Sequence, residues 1–128
     1  MTAARPAVVV GVGLSSAASG AEVAALVDAC LARAAAQRAD VTCVATLDRH
    51  AGDERLAALG FPVIGFPAEA LAEVVGADGD ARVEEAVGTP SVAEAAALLA
   101  AGAGARLVVR KQHSAHATGA VGRGGASA

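Results

Sequence analysis

Val8-Val9-Val10 runs straight into Gly11-Val12-Gly13, a short apolar stretch closed by glycines, which predicts a buried strand ending in a tight turn. The apolar period then lengthens to that of a helix. Val23, Leu26, Val27, Cys30, Leu31 and Ala34 share one face, while Glu22, Asp28, Arg33 and Arg38 occupy the other. Ser19 and Glu22 precede this face at capping-box spacing, in which hydroxyl and carboxylate each satisfy an orphan backbone amide. A second strand is predicted over residues 41–46, leading into Leu47-Asp48-Arg49-His50. A short helix over 53–59 is stopped by Gly60.

Residues 61–66 predict a third strand, and Pro67 the first position of a helix with Leu71, Val74 and Val75 inward and Gly76 at its end. A polar loop over 77–80 and a helical turn over 81–87 follow. Ser91 and Glu94 form a second capping box, opening an Ala-rich helix that Gly102 ends. Leu107-Val108-Val109 is a fourth strand and residues 117–121 a fifth, joined by too few residues for a crossover and therefore paired antiparallel at one end of the sheet. The alternation predicts one α/β domain: three layers, a mostly parallel central sheet of about five strands, and helices on both faces. The expected limits are a flexible start over 1–6, the domain over 7–121 and a flexible tail over 122–128.

Composition changes this picture in two ways. Of the 55% hydrophobic residues more than half are Ala, 37 in all, and there are two Phe and no Trp or Tyr, so Val and Leu must fill the core. The longest uncharged stretch in the C-terminal half, residues 95–105, is far short of the roughly 20 residues a bilayer needs, so no membrane span is expected. Cys30 and Cys43 both fall on apolar positions and read as buried free thiols of a cytoplasmic protein.

The net charge of −3 is uneven. All thirteen acidic residues lie between Glu22 and Glu94, against six basic ones up to residue 104, so that part carries −7. The remainder has Arg106, Arg110, Lys111 and Arg123 and no acid; from Arg123 onward it reads as a solvated tail. A cationic end on an acidic domain without aromatic stacking platforms suits a small polyanion better than nucleic acid.

Ligands of open α/β sheets bind beyond the carboxyl ends of parallel strands. That rule selects Gly11, Gly13, Ser15 and Ser16 in the first loop, and Thr46 and Asp48 after the second strand. It also selects Thr89 and Ser91 before the late helix, and Arg110 and Lys111 in the fourth strand's end. Hydroxyls, amides and two cations suit carboxylate or amide arms. A dinucleotide site is rejected: the third glycine is missing, and Asp48 lies 37 positions past Gly11, where about 20 is usual. Lys111 is the single lysine against nine arginines. His113 and His116 have metal-like spacing without a third ligand and read as a solvated turn, so neither a metal nor a cofactor is expected.

Taken together, Gly11-Val-Gly13 with Ser19 and Glu22, Thr46-Leu-Asp48, Gly88-Thr-Pro-Ser-Val-Ala-Glu-Ala-Ala96 and the strand into Lys111 resemble the CobE/CbiG C-terminal domain of cobalamin biosynthesis, over about residues 8–121. The resemblance implies a corrinoid or precorrin intermediate as ligand, with other corrin-pathway enzymes as further partners. Longer members of that family open the ring-A lactone of cobalt-precorrin-5A and release acetaldehyde. The stand-alone CobE type, which a chain of 128 residues matches better, is expected to bind an intermediate as an accessory protein, the alternative being a hydrolase that opens the ring-A lactone with acetaldehyde release. Two positions depart from the family: Leu14-Ser15-Ser16 stands where an Arg is common, and His50 where a Lys is common.

Overall fold

In the computed structural model residues 8–78, 92–102 and 104–124 are described. Seven residues of the opening apolar run form β1 (Val8–Leu14), and the predicted amphipathic segment forms α1 (Gly20–Arg33). There follow β2 (Val41–Leu47), a 3-10 turn (Asp48–His50), α2 (Glu54–Ala57), β3 (Val63–Phe66) and α3 (Ala68–Asp78). The chain closes with α4 (Val92–Ala101), β4 (Arg106–His113) and β5 (Ala117–Arg123). The helical turn expected over 81–87, and the termini expected over 1–6 and 125–128, lie outside the described residues.

Local signals placed most boundaries. Ser19 accepts the Glu22 N–H at 3.0 Å and starts α1, and Asp53 accepts the Arg55 N–H at 2.9 Å and starts α2. Gly60 and Gly102 sit at positive φ of 91° and 94°, just past the ends of α2 and α4. Gly76, expected to end α3, lies inside it: one glycine costs a helix only about 1 kcal/mol, too little to stop it. Helix α1 ends without a glycine. Ala36 N–H bonds Leu31 carbonyl and Ala35 N–H bonds Ala32 carbonyl, a Schellman pair that forces Ala35 to a φ of 55°.

The sheet order is β3-β2-β1-β5-β4. β1–β2 and β2–β3 pair parallel, β1–β5 and β5–β4 antiparallel, so the sheet is mixed and not mostly parallel. The reason is the three-residue link between β4 and β5, which permits only a hairpin. β5 inserts beside β1 because its residues are small and buried, as a central strand requires. Gly122 and Arg123, read as tail, pair with Val9 and Val8 of β1. With β5 reversed between them, β1 and β4 still point the same way. The carboxyl ends of β1–β4 therefore share one rim with the β4–β5 turn.

Successive strand residues face opposite sides. Val8, Val10 and Val12 pack with Val23, Leu26, Val27, Cys30 and Leu31 of α1 and with Leu56 of α2. Val9 packs with Cys43, Ala45, Leu71 of α3 and the alanines of α4. The second cluster is thin in side-chain volume, and its packing depends on close backbone approach. A Cβ on Gly11 would fall 1.9 Å from the Ala93 carbonyl oxygen. Cys30 and Cys43 are free and belong to different clusters, and burial pushes both thiols up.

Two substitutions test this packing by urea denaturation. Gly11→Ala must push α4 off the sheet and is expected to cost about 3 kcal/mol. Ala35→Gly relieves the left-handed backbone and is expected to stabilise by about 0.5–1 kcal/mol.

Candidate functional site

Where the strand ends converge, a cleft of about 540 Å³ opens. Gly13, Leu14 and Ser15 supply its β1 side, Leu47, Arg49 and His50 its β2 side, and Val92 the start of α4. Lys111 and His113 come from β4, residues 114–116 from the turn, and Ala117 and Thr118 from β5. All three histidines and the single lysine of the chain line this one hollow. Lys111 and Arg49 give it fixed positive charge, the imidazoles add polar ring nitrogens, and no acidic residue is among its described lining residues.

Of the residues selected from sequence, Gly13, Ser15 and Lys111 meet here. Gly11 is buried beneath α4 rather than offered to a ligand. Thr46 is fully buried, and its hydroxyl donates to the Val12 carbonyl at 2.8 Å, so it ties β2 to β1 beneath the rim. Ser16, Asp48 and Arg110 are exposed and outside the cleft lining. Thr89 and Ser91 lie outside the described residues. Arg49 and His50, not selected, occupy the place expected for Thr46 and Asp48, because the chain turns into a 3-10 turn directly after Leu47. That turn brings Arg49 and His50, together with Leu47 at the strand's end, to the hollow and leaves Asp48 outside its lining. His113 and His116, read as a solvated turn, belong to the wall.

Glutamates from two helices fix the cationic side. Glu22 does not return its carboxylate to the start of α1. Its Oε2 accepts the His116 N–H at 2.6 Å and the Ser114 hydroxyl, and its Oε1 lies 3.2 Å from His116 Nδ1. Those hydrogen bonds, Ser114 foremost and then the His116 amide, lower the Glu22 pKa. Glu94, in the first turn of α4, accepts the Lys111 N–H at 2.8 Å. Lys111 stands where the β4–β5 register slips between Val109 and Gln112, a bulge that frees its N–H from the ladder.

The opposite side is held by Arg55. Its guanidinium donates to the Ser15 and Ala18 carbonyls at 2.9 and 2.8 Å and pairs with Asp53 at 2.6 Å. The hydrogen bonds from Arg55 bring the Asp53 carboxyl down to about 2. Ser15 N–H in turn donates to the His116 carbonyl at 3.1 Å, so the first loop and the hairpin are one connected wall. Gly13 leaves room for Thr118: a Cβ there would meet its hydroxyl at 2.6 Å.

Because the Glu22 pKa is lowered in the folded protein, its bonds contribute fully above about pH 4.5, the ordinary value, and are lost as pH falls through the folded-state value. Hydrogen exchange at the His116 amide, corrected for its intrinsic rate at each pH, is therefore expected to speed up in acid in the wild type. In Glu22→Gln it is expected to be fast already at neutral pH, with little further dependence on pH.

The described residues contain no helix long and apolar enough to cross a membrane and no group of three or more metal-ligating side chains. Among solved structures the chain is similar to CobE, a protein from the cobalamin (vitamin B12) biosynthetic pathway, with 24% identity and a TM-score of 0.72 over 92% of this chain and 93% of that one. It is similar to the cobalamin biosynthesis protein chiG from Agrobacterium tumefaciens str. C58, with 30% identity and a TM-score of 0.72 over 91% and 98%. A cobalamin biosynthesis protein G homolog from Sulfolobus solfataricus shares the fold at 18% identity and a TM-score of 0.68, this chain spanning 38% of that one. A sequence search of curated proteins found no match. The family model described as cobalamin synthesis G C-terminus matches residues 8–122, and the chain belongs to that family.

Proposed function

We propose that this protein binds a corrinoid or precorrin intermediate, with the ligand's carboxylate arms in the cationic cleft. The observation that carries this reading is the convergence of Arg49, His50, Lys111 and His113 on one hollow whose described lining has no acid. Precursors of cobalamin are flat apolar macrocycles rimmed by acetate and propionate groups. Such a ligand asks for separated cations around an apolar floor, and Leu14, Leu47, Val92 and Ala117 supply the floor. Ser15 and Gly13 remain in the proposed contact set with Lys111, and Arg49 and His50 join it. The Arg common in the family after Gly13 is absent, and Arg49 returns a fixed positive charge to the same hollow.

The backbone clamps on Lys111, Ser15 and His116 suit this role, because a wall ordered before binding loses less entropy on binding. We place the protein in the cytoplasm, where the unpaired buried thiols stay reduced, and read it as handing its ligand to other corrin-pathway enzymes. A second reading, hydrolysis of a ring-A lactone with acetaldehyde release, draws on His50. Its Nδ1 lies 3.8 Å from Asp53, and its ring lines the cleft where a general base would stand. Asp48 is outside the cleft lining and is dropped from that role.

Titration of hydrogenobyrinic acid, followed by its visible spectrum, is expected to show saturable binding that weakens with salt. Lys111→Ala is expected to weaken it about tenfold, the loss of one charge-assisted contact. Affinity unchanged in both Lys111→Ala and Arg49→Ala would overturn the carboxylate assignment. Acetaldehyde released from the lactone intermediate by wild type and not by His50→Ala would establish the hydrolytic reading.

A further inference from the structure

We infer that His116 is an axial ligand for the metal of a cobalt-bearing corrinoid. The inference rests on the binding reading above and adds which form of the ring the cleft takes. Its basis is the grip of Glu22 on His116. One carboxylate holds this residue twice, at the backbone N–H (2.6 Å) and at ring Nδ1 (3.2 Å), and the Ser114 hydroxyl steadies the same carboxylate. An ionised carboxylate only accepts, so in the neutral ring Nδ1 carries the hydrogen and the lone pair is on Nε2, the ring atom remote from Glu22. The Glu22 side chain is 17% exposed and that of His116 48%, so the imidazole stands out from a sheltered support into the cleft it lines.

A carboxylate behind an imidazole fixes the ring and makes its far nitrogen a better donor, the arrangement metal-binding histidines use. The other two cleft histidines are not prepared in this way. His50 Nδ1 is 3.8 Å from Asp53, beyond hydrogen-bond distance, and His113 is exposed with no carboxylate behind its ring among the described residues. The surroundings also decide what kind of metal could come here. Lys111 and Arg49 repel a free divalent cation, and no group of three or more ligating side chains exists among the described residues. A metal that arrives inside a carboxylate-rimmed macrocycle already has four ring nitrogens. It needs one further donor from the protein, and the cations that repel a bare ion attract its arms. Binding is then a ligand exchange: the Nε2–cobalt bond forms as a cobalt–water bond breaks, water leaves with its electron pair, and no oxidation state changes.

The test compares two rings with the same arms, diaquacobyrinic acid, which holds cobalt, and metal-free hydrogenobyrinic acid. The wild type is expected to shift the visible bands of the cobalt ring. After reduction to cobalt(II), its electron paramagnetic resonance spectrum should show splitting from one nitrogen. His116→Ala should still bind both rings but lose band shift and splitting, and added imidazole should restore the shift in His116→Gly. Glu22→Gln should keep the nitrogen signal with affinity for the cobalt ring reduced about 10–100-fold, a larger loss than the same variant shows for the metal-free ring. Binding of both rings with no nitrogen signal, or a signal that survives His116→Ala, overturns the axial assignment and leaves the binding reading standing. Binding of neither ring overturns both.

Discussion

Two glutamates reaching from helix starts to the backbone of one hairpin hold the candidate site together. Glu22 leaves the first turn of α1 and takes the His116 amide, and Glu94 leaves the first turn of α4 and takes the Lys111 amide. Each bond is charge-assisted, and each satisfies a backbone donor that the β4–β5 ladder leaves over. Without them the hairpin would keep the β5 pairing and the Ser15–His116 backbone bond but lose its hydrogen bonds to both helix starts. With them, the segment that carries Lys111, His113 and His116 is fixed from the α1 end and from the α4 end.

The strand directions make that hairpin matter. Because β5 runs antiparallel between β1 and β4, the turn connecting β4 to β5 lies on the same rim as the ends of β1 and β2. A parallel β5 would have needed a long crossover and would have moved residues 114–116 away from Ser15 and His50. The mixed sheet is therefore the condition for bringing histidines from residue 50 and from residues 113 and 116 to one hollow. Small residues serve the same end: Gly13 admits the Thr118 hydroxyl, and Gly11 lets α4 come down far enough for Glu94 to reach β4.

The cleft's chemistry follows from charge segregation. The acidic residues that approach the hollow, Glu22, Asp53 and Glu94, are all engaged in hydrogen bonds, with His116 and Ser114, with Arg55, and with the Lys111 amide. Their charge is spent on positioning, while the side chains of Arg49 and Lys111 line the open space. An acidic chain thus presents a locally cationic surface.

Much of this was legible in the sequence because it is local. The period of Val23, Leu26, Val27, Cys30 and Leu31 defined the buried face of α1, and Ser19 and Asp53 marked helix starts through bonds spanning three and two residues. The terminal hairpin and the cationic end could be read in the same way, and so could the prominence of Lys111. Thr46 was misread as a rim residue because a strand's last residues look alike in sequence whether they end at the surface or under it. The partner of Glu22 was beyond reach. Capping-box spacing pointed its carboxylate three residues back, whereas the fold turned it to a residue 94 positions away. Local patterns thus determined which segments are helix and strand, since caps and periodicity act within a few residues. Which side chains share the hollow was decided by the insertion of β5, since strand order brings together groups that no short-range preference connects.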